Sequence, residues 1–375
     1  MEDELQSEFR RLLDMADSAK HGEERQAILQ KAVDVADRMN DLESRMWTRL
    51  ELIREATGYN DTIQMLVFFP PLIRLMDDYR DEPECAQFRE RILWKYKWVI
   101  EEARDFYQIT GEQMERLAED MKRRYVEYGY SLRPYYQHLM IYYQGVDDEK
   151  AEECYREFLS ASRDSLSDCR ACECSTHIEY LLYADRVKEA YEKSRPVLSR
   201  RITCDEQPYR TELAIIEYVV ISELNGKIRQ QLLLEKMDQY VRDARYALDT
   251  RRLLLEYTGV LLCYYALFEP EKALPWIKKN PEFTEKFRDP RGIFYFCLGM
   301  LLFIRNLKGK KTYRMKISSQ YRFYNENGIY NTGEMREFYY SRAKMIAGQF
   351  EKNQGRCCYS ELLRLLDEES CVNPG

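Results

Sequence analysis

Glycine and proline are scarce in this chain of 375 residues, which contains 15 glycines and 11 prolines. Both residues interrupt helices, so their scarcity is typical of long helices joined by short turns. The chain also lacks any apolar run of about 18 residues, so no membrane-spanning helix is expected. Its acidic start, Met1-Glu2-Asp3-Glu4-Leu5, has no apolar core of the kind that a signal peptide requires.

Signatures of catalysis are also missing from the sequence. Only three histidines occur, and none stands beside a nucleophile motif. The glycine-rich phosphate-binding motifs, the HExxH motif and the GxSxG motif do not occur. Paired carboxylates are frequent, but they have the spacing of a solvated helix surface. These absences predict that the protein is not an enzyme.

The charge balance is nearly even, with 58 basic and 65 acidic residues and a net charge of −7. This balance argues against nucleic acid as the main partner. With 45% hydrophobic residues, the composition is that of a folded, soluble protein. Eleven cysteines without a signal peptide favour the reducing cytoplasm, where CxxC pairs more often bind metal or act in redox chemistry than form structural disulfides.

Apolar residues recur at helical spacing along almost the whole chain, and no convincing alternating strand pattern appears. Small residues early in the second helix of a hairpin allow close helix packing, as in tetratricopeptide repeats. Three alanines have this position, each nine residues after a larger apolar or aromatic residue: Tyr142 and Ala151, Leu181 and Ala190, and Tyr264 and Ala273. The pattern predicts an all-α superhelix of stacked helical hairpins.

The predicted array covers residues 1–305 and is followed by a basic and aromatic loop at 306–331. Capping helices over 332–351 and 358–368 and a short tail complete the C-terminal part, 332–375. The loop is either a solvated linker or a contact for an anion or acidic partner. Its basic and aromatic residues are Lys308, Lys310, Lys311, Arg314, Lys316, Tyr321, Phe323, Tyr324 and Tyr330.

A split cysteine motif is the most specific feature of the sequence. Cys169 and Cys172 form a CxxC pair, and Cys204 follows in Thr203-Cys204-Asp205-Glu206-Gln207-Pro208. The two halves are separated by roughly the length of one helical-hairpin repeat, about 34 residues. Because both halves precede helix starts of successive hairpins, we expect the three thiols to converge at one edge.

Three interpretations of the motif remain open at this point. The thiols hold a metal ion, pack as small buried side chains, or form a redox-active dithiol. If an ion is bound, zinc is expected, with His177 as a candidate fourth ligand. Cys174, Glu206 and Asp205 are the alternatives.

An aromatic band interleaved with basic residues extends over residues 94–143. Tyrosine, tryptophan and arginine are the preferred residues of binding surfaces. The band therefore predicts a protein or peptide partner on the inner face of the array, although helix packing is an alternative role for each residue. Stacking on nucleic-acid bases is less favoured because the chain is acidic overall. The predicted partner-binding residues are Trp94, Trp98, Arg133, Tyr135 and Tyr136.

Several segments resemble a group of bacterial tetratricopeptide-repeat proteins. They are residues 93–99, 120–125 and 131–136, the SDCxxC and TCxEQP motifs, and residues 347–355. The resemblance covers most of residues 25–305 and, more loosely, 340–368. It implies a helical solenoid used for interaction and supplies no enzyme activity or ligand. Cys174 and His177 depart from the pattern of the group.

These features together predict a protein- or peptide-binding helical scaffold of the bacterial cytoplasm, with a zinc site as a candidate structural element. One alternative is a peptide-sensing regulatory receptor, although residues 1–22 are too short for an N-terminal output domain. The other alternative is a metal- or redox-responsive regulator that uses the cysteine motif.

Overall fold

The structure is a computed structural model that describes residues 2–58, 62–227, 231–250, 255, 257–280, 288–307, 309–321 and 323–372. Within these ranges the regular structure consists of 18 helices and two short strands, so the protein is all-α as predicted. None of the described helices is both long and apolar enough to span a bilayer. The predicted loop residue Lys308 and the end of the predicted tail, 373–375, lie outside the described ranges.

The chain folds into two compact units. The first comprises Met1–Arg104, Met114–His138 and Ala161–Ser167, and the second comprises Asp105–Gln113, Leu139–Ser160 and Asp168–Gly375.

In the first unit, consecutive helices pack against each other from α1 to α5. In addition, α3 packs against α5, so alternate helices form a second set of neighbours. Most of α6 and the start of α7 also belong to this unit. The bounds are α1 Glu2–Ser18, α2 Glu23–Met39, α3 Leu42–Gly58, α4 Thr62–Asp78, α5 Pro83–Arg104, α6 Gly111–Glu127 and α7 Arg133–Tyr142.

The second unit repeats this arrangement. Helix α9 packs against α10 and α14 against α15, while α9, α11, α14 and α16 form a continuous row of neighbours. The bounds are α8 Asp148–Ser160, α9 Arg170–Tyr183, α10 Val187–Leu198, α11 Tyr209–Leu224, α12 Gln231–Leu234, α13 Met237–Thr250, α14 Thr258–Phe268, α15 Pro270–Lys279, α16 Pro290–Arg305, α17 Thr332–Gln354 and α18 Cys358–Val372.

Small residues occupy the helix contacts, as the sequence predicts. Ala190 in α10 and Ala273 in α15 are fully buried in helices that pack against α9 and α14. Helices α14 and α16 approach each other closely, since a β-carbon on Gly259 would lie 2.2 Å from the backbone nitrogen of Phe296. Only glycine fits at this crossing, because any side chain would overlap the backbone of α16.

The C-terminal helices return to earlier segments of the second unit. Helix α17 ends at Gln354 and is capped by Gly355, whose φ of 72° lies in the left-handed region that favours glycine. Beside this turn, the Gln354 amide donates to the carbonyls of Phe106 and Ile109, at 3.0 Å each. The Arg356 guanidinium donates to the carbonyls of Tyr142 and Gln144, at 2.9 Å each. The turn between α17 and α18 is therefore hydrogen-bonded to segments that precede it by more than 200 residues in sequence.

The predicted basic loop contains a small antiparallel hairpin that the sequence pattern did not indicate. Strand β1 (Thr312–Arg314) pairs with β2 (Ile329–Asn331). Three-residue strands are too short to show an alternating pattern. The lysines and arginines described in this segment are exposed, whereas Tyr321 and Tyr330 are buried. The Tyr321 hydroxyl donates to the carbonyl of Ile277, so the aromatic residues anchor the segment within its unit.

Candidate metal centre

Cys169 and Cys172 are placed by the start of helix α9. Cys169 is the N-cap residue, and its sulfur accepts the backbone N–H of Cys172 at 3.4 Å. Cys172 is the third residue of the helix, so the CxxC spacing brings both sulfurs to the same helix end. The positive end of the helix dipole lies here and favours negatively charged thiolates.

Cys204 lies in the turn before helix α11. The backbone N–H groups of Glu206 and Gln207 point at its sulfur and favour the thiolate form. The turn is held by the Thr203 hydroxyl, which donates to the carbonyl of Gln207. The Gln207 side chain, in turn, accepts the hydroxyl of Thr211 at 2.8 Å. A sulfur in each half of the split motif therefore accepts backbone N–H groups, one at Cys169 and two at Cys204.

The three sulfurs converge, which confirms the predicted meeting of the two motif halves. All three Sγ atoms lie within 4.8 Å of one another, and the Sγ atoms of Cys172 and Cys204 are 3.5 Å apart. No disulfide links them, because a disulfide bond is only about 2.05 Å long. Thiolates that share one tetrahedral zinc ion with bonds of about 2.3 Å are about 3.8 Å apart. The spacing of the three sulfurs therefore suits a shared thiophilic metal ion.

The surroundings of the sulfurs favour a cation. Burial raises the pKa of Cys172 well above its usual range, and the negative charge of Glu206 raises it further. Burial also raises the pKa of Cys204, although the backbone donors of Glu206 and Gln207 oppose this shift. A bound cation reverses this balance, because its charge stabilises each thiolate directly.

The candidate fourth ligands lie in different places. The His177 Nε2 forms a hydrogen bond of 2.8 Å with the Tyr155 hydroxyl, and Cys174 Sγ donates to the carbonyl of Lys193 at 3.2 Å. Neither side chain joins the metal-ligating group found within the described ranges. Glu206 faces Cys172 closely enough to act on its pKa, but its carboxylate also pairs with Arg210 at 3.2 Å. Asp205 is exposed beside it.

Comparison with models of known families, with curated proteins and with solved structures found no match to this chain.

The predicted partner-binding residues of helix α5 are half-buried rather than in the core. The Lys95 ammonium lies 3.7 Å from the centre of the Trp98 ring, and the Lys97 ammonium lies 3.1 Å from that of Trp94. Lys97 is completely buried and donates to the carbonyl of Leu166 at 2.8 Å. Each tryptophan therefore covers a buried cation while leaving part of its ring accessible to a partner.

Arg133, Tyr135 and Tyr136 begin helix α7 and are also half-buried. The rings of Tyr135 and Tyr136 meet edge to face with their centres 5.2 Å apart. Arg133 donates to the carbonyl of Ala161 at 2.9 Å, so part of its role is to hold the segment that follows α8. Partner binding by these five predicted residues stays a prediction.

The sequence-based prediction missed one group of charged residues that lies beside the tryptophans. Glu51 and Arg54 on α3 meet Arg91 on α5, because Glu51 pairs with both arginines. The sequence did contain one signal of this group, which is a spacing of three and four residues that places charged and aromatic side chains on one helix face: Arg91, Trp94, Lys95 and Trp98. Which residues of α3 face them depends on the packing of α3 against α5 and is not visible in the sequence.

Proposed function

We propose that this protein is a helical-hairpin scaffold of the bacterial cytoplasm that binds a protein or peptide, and that a zinc ion fastens two of its successive hairpins. The supporting observation is the approach of Cys172 and Cys204 to 3.5 Å, together with Cys169. Zinc binds thiolates in structural sites and adds folding free energy to the elements it links.

Zinc would be held by Cys169, Cys172 and Cys204. The turn before α11 would thereby be tied to the start of α9. Glu206 is one candidate for the fourth position, since it lies on the same turn as Cys204 and its charge acts on Cys172, but its carboxylate would have to move to join the three sulfurs. When bound, the ion would supply structural cross-linking rather than chemistry. Such a link would stabilise layers that otherwise hold together only by side-chain packing.

Two observations support the binding role. Half-buried tryptophans lie along α5, and tryptophan is among the residues that most often dominate the energetics of protein interfaces. The resemblance to bacterial tetratricopeptide-repeat proteins implies the same use. The ten cysteines whose side chains the structure describes are free thiols, and free thiols are typical of proteins in a reducing compartment.

Metal analysis of protein purified without chelators tests the zinc site. We expect one zinc per chain in the natural protein and none in Cys204→Ser. The matched control is Cys357→Ser, which removes an exposed thiol outside the group and should retain the ion. Protein that folds normally but contains no zinc, even after reconstitution, would contradict the site.

A redox-responsive role is the second candidate, because a distance of 3.5 Å allows Cys172 and Cys204 to form a disulfide after a small movement. The third sulfur favours the zinc site over this role, because a disulfide uses only two thiols, whereas the Sγ atoms of Cys169, Cys172 and Cys204 all lie within 4.8 Å of one another. A metal-free protein that forms a Cys172–Cys204 disulfide under mild oxidation would favour the redox role instead.

A further inference from the structure

We propose that Arg54, Arg91 and Lys95 in the first unit form a binding site for an anionic group, a carboxylate or phosphate carried by a bound peptide. This inference rests on the proposed binding function and names the chemistry of the partner. The three side chains come from α3 and α5, two helices that pack against each other.

The site contains more positive charge than its own acidic residue can neutralise. Glu51, which is buried, pairs with Arg54 and lies 3.9 Å from Arg91. Lys95 is 8% exposed, and no carboxylate within the described ranges lies within ion-pair distance of its ammonium. Among the described residues, Glu51 is therefore the one carboxylate paired with this cluster of three cations, and it pairs with two of them. A buried cation without a counterion destabilises a fold, so a ligand that supplies negative charge would be bound favourably.

Two of the three cations are accessible to a ligand, and the buried Lys95 lies behind them. The guanidinium side chains of Arg54 and Arg91 remain 60% and 51% exposed. Arg91, Trp94, Lys95 and Trp98 share one face of α5, because they are spaced three and four residues apart. Two arginines can present paired donors to a carboxylate or phosphate, while the tryptophan rings can contact the apolar parts of a peptide.

The protonation of Lys95 supports this reading. Burial, followed by repulsion from Arg91, lowers the pKa of its ammonium to about 7. Glu51 opposes this shift, whereas Arg54 and Lys97 add to it. A bound anion would favour the charged ammonium and would therefore raise the pKa of Lys95.

Fluorescence anisotropy at low salt can test the site with three labelled probes: a hexaglutamate peptide, a phosphoserine peptide and a hexaglutamine peptide. We expect the two anionic peptides to bind and the hexaglutamine peptide not to bind. The relative affinity of the two anionic probes distinguishes carboxylate from phosphate. Arg91→Gln and Lys95→Met should each weaken binding about tenfold. The matched control Arg74→Gln removes an exposed positive charge on α4 and should change affinity less than twofold.

The stability of the variants separates a binding role from a structural one. Lys95→Met roughly keeps the volume of the side chain but removes a buried ionisable group without a paired carboxylate, so its melting temperature should stay the same or rise while binding weakens about tenfold. Equal binding of hexaglutamate and hexaglutamine, or equal effects of Arg91→Gln and Arg74→Gln, would overturn the anion site. Capture of a host protein that is unaffected by Arg91→Gln would also overturn it, while leaving the scaffold function in place.

Discussion

The sulfur of Cys172 lies 3.5 Å from the sulfur of Cys204, although 32 residues separate them in sequence. One sulfur belongs to the first turn of α9 and the other to the turn before α11. Helices α9 and α11 pack directly against each other, so a link between the sulfurs also links two helices of the same row. The local stability of this junction should therefore depend on what the thiols bind.

Removal of the metal should loosen this junction before it affects the rest of the unit. With a chelator, we expect faster amide hydrogen exchange in residues 169–176 and 203–212, because these segments supply and surround the three sulfurs. A ligand at about 100 times its dissociation constant stabilises the folded state by about 2.7 kcal/mol, so a loss of this order is expected. Exchange that rises uniformly along the chain, or first in α17 and α18, would argue against a local link.

Gly259→Ala should destabilise the second unit by about 3 kcal/mol or more. The new β-carbon would lie 2.2 Å from the backbone nitrogen of Phe296, so α14 and α16 would have to separate. Gly348→Ala is the matched control, because no atom lies within 4 Å of the corresponding β-carbon in α17. That control should be neutral or should stabilise by about 0.5–1 kcal/mol. Urea denaturation compares the two, and equal effects would contradict the close helix contact.

Glu212 should make stability depend on pH. Burial, followed by the negative charge of Asp243, raises the pKa of its carboxyl to about 8, while Arg200 opposes the shift. Between the unfolded pKa of about 4.3 and about 8, the folded protein retains a proton that the unfolded chain loses. Its contribution to stability is therefore complete below this window and is lost as pH rises through it.

Glu212→Gln imitates the protonated carboxyl and should remove this contribution to the pH dependence. Urea midpoints measured at about pH 5 and about pH 8 should differ less in the variant than in the natural protein. An unchanged difference between the two midpoints would show that Glu212 does not titrate in this window.

Arg356→Ala should destabilise the second unit by about 2–4 kcal/mol. The substitution removes the hydrogen bonds to the carbonyls of Tyr142 and Gln144 and leaves buried acceptors without this donor. Lys352→Ala, an exposed change on α17, serves as the control and should lie within about 0.5 kcal/mol of the natural protein. If Arg356→Ala has the same melting temperature as this control, the hydrogen bonds of Arg356 contribute little to the stability of the folded protein.

The sequence was sufficient to predict features that depend on local pattern and spacing. Helical periodicity predicted the all-α fold, and the separation of Cys172 from Cys204 by about one hairpin length predicted their convergence. The orientation of His177 toward Tyr155 was not predictable, because its ring packs on residues of the preceding helix α8. The pairing of Glu51 with Arg91 was likewise hidden, since it exists only where α3 packs against α5.

The central claim is that Cys169, Cys172 and Cys204 hold a zinc ion. X-ray absorption at the zinc edge tests it most directly, on freshly purified protein that has not been exposed to a chelator. The account predicts one zinc per chain with three sulfur neighbours at about 2.3 Å and one lighter oxygen or nitrogen neighbour at about 2.0–2.2 Å. In Cys204→Ser the three-sulfur shell should be absent, whereas in Cys357→Ser it should be unchanged. Zinc surrounded only by oxygen and nitrogen, or a three-sulfur shell that persists in Cys204→Ser, would contradict the account.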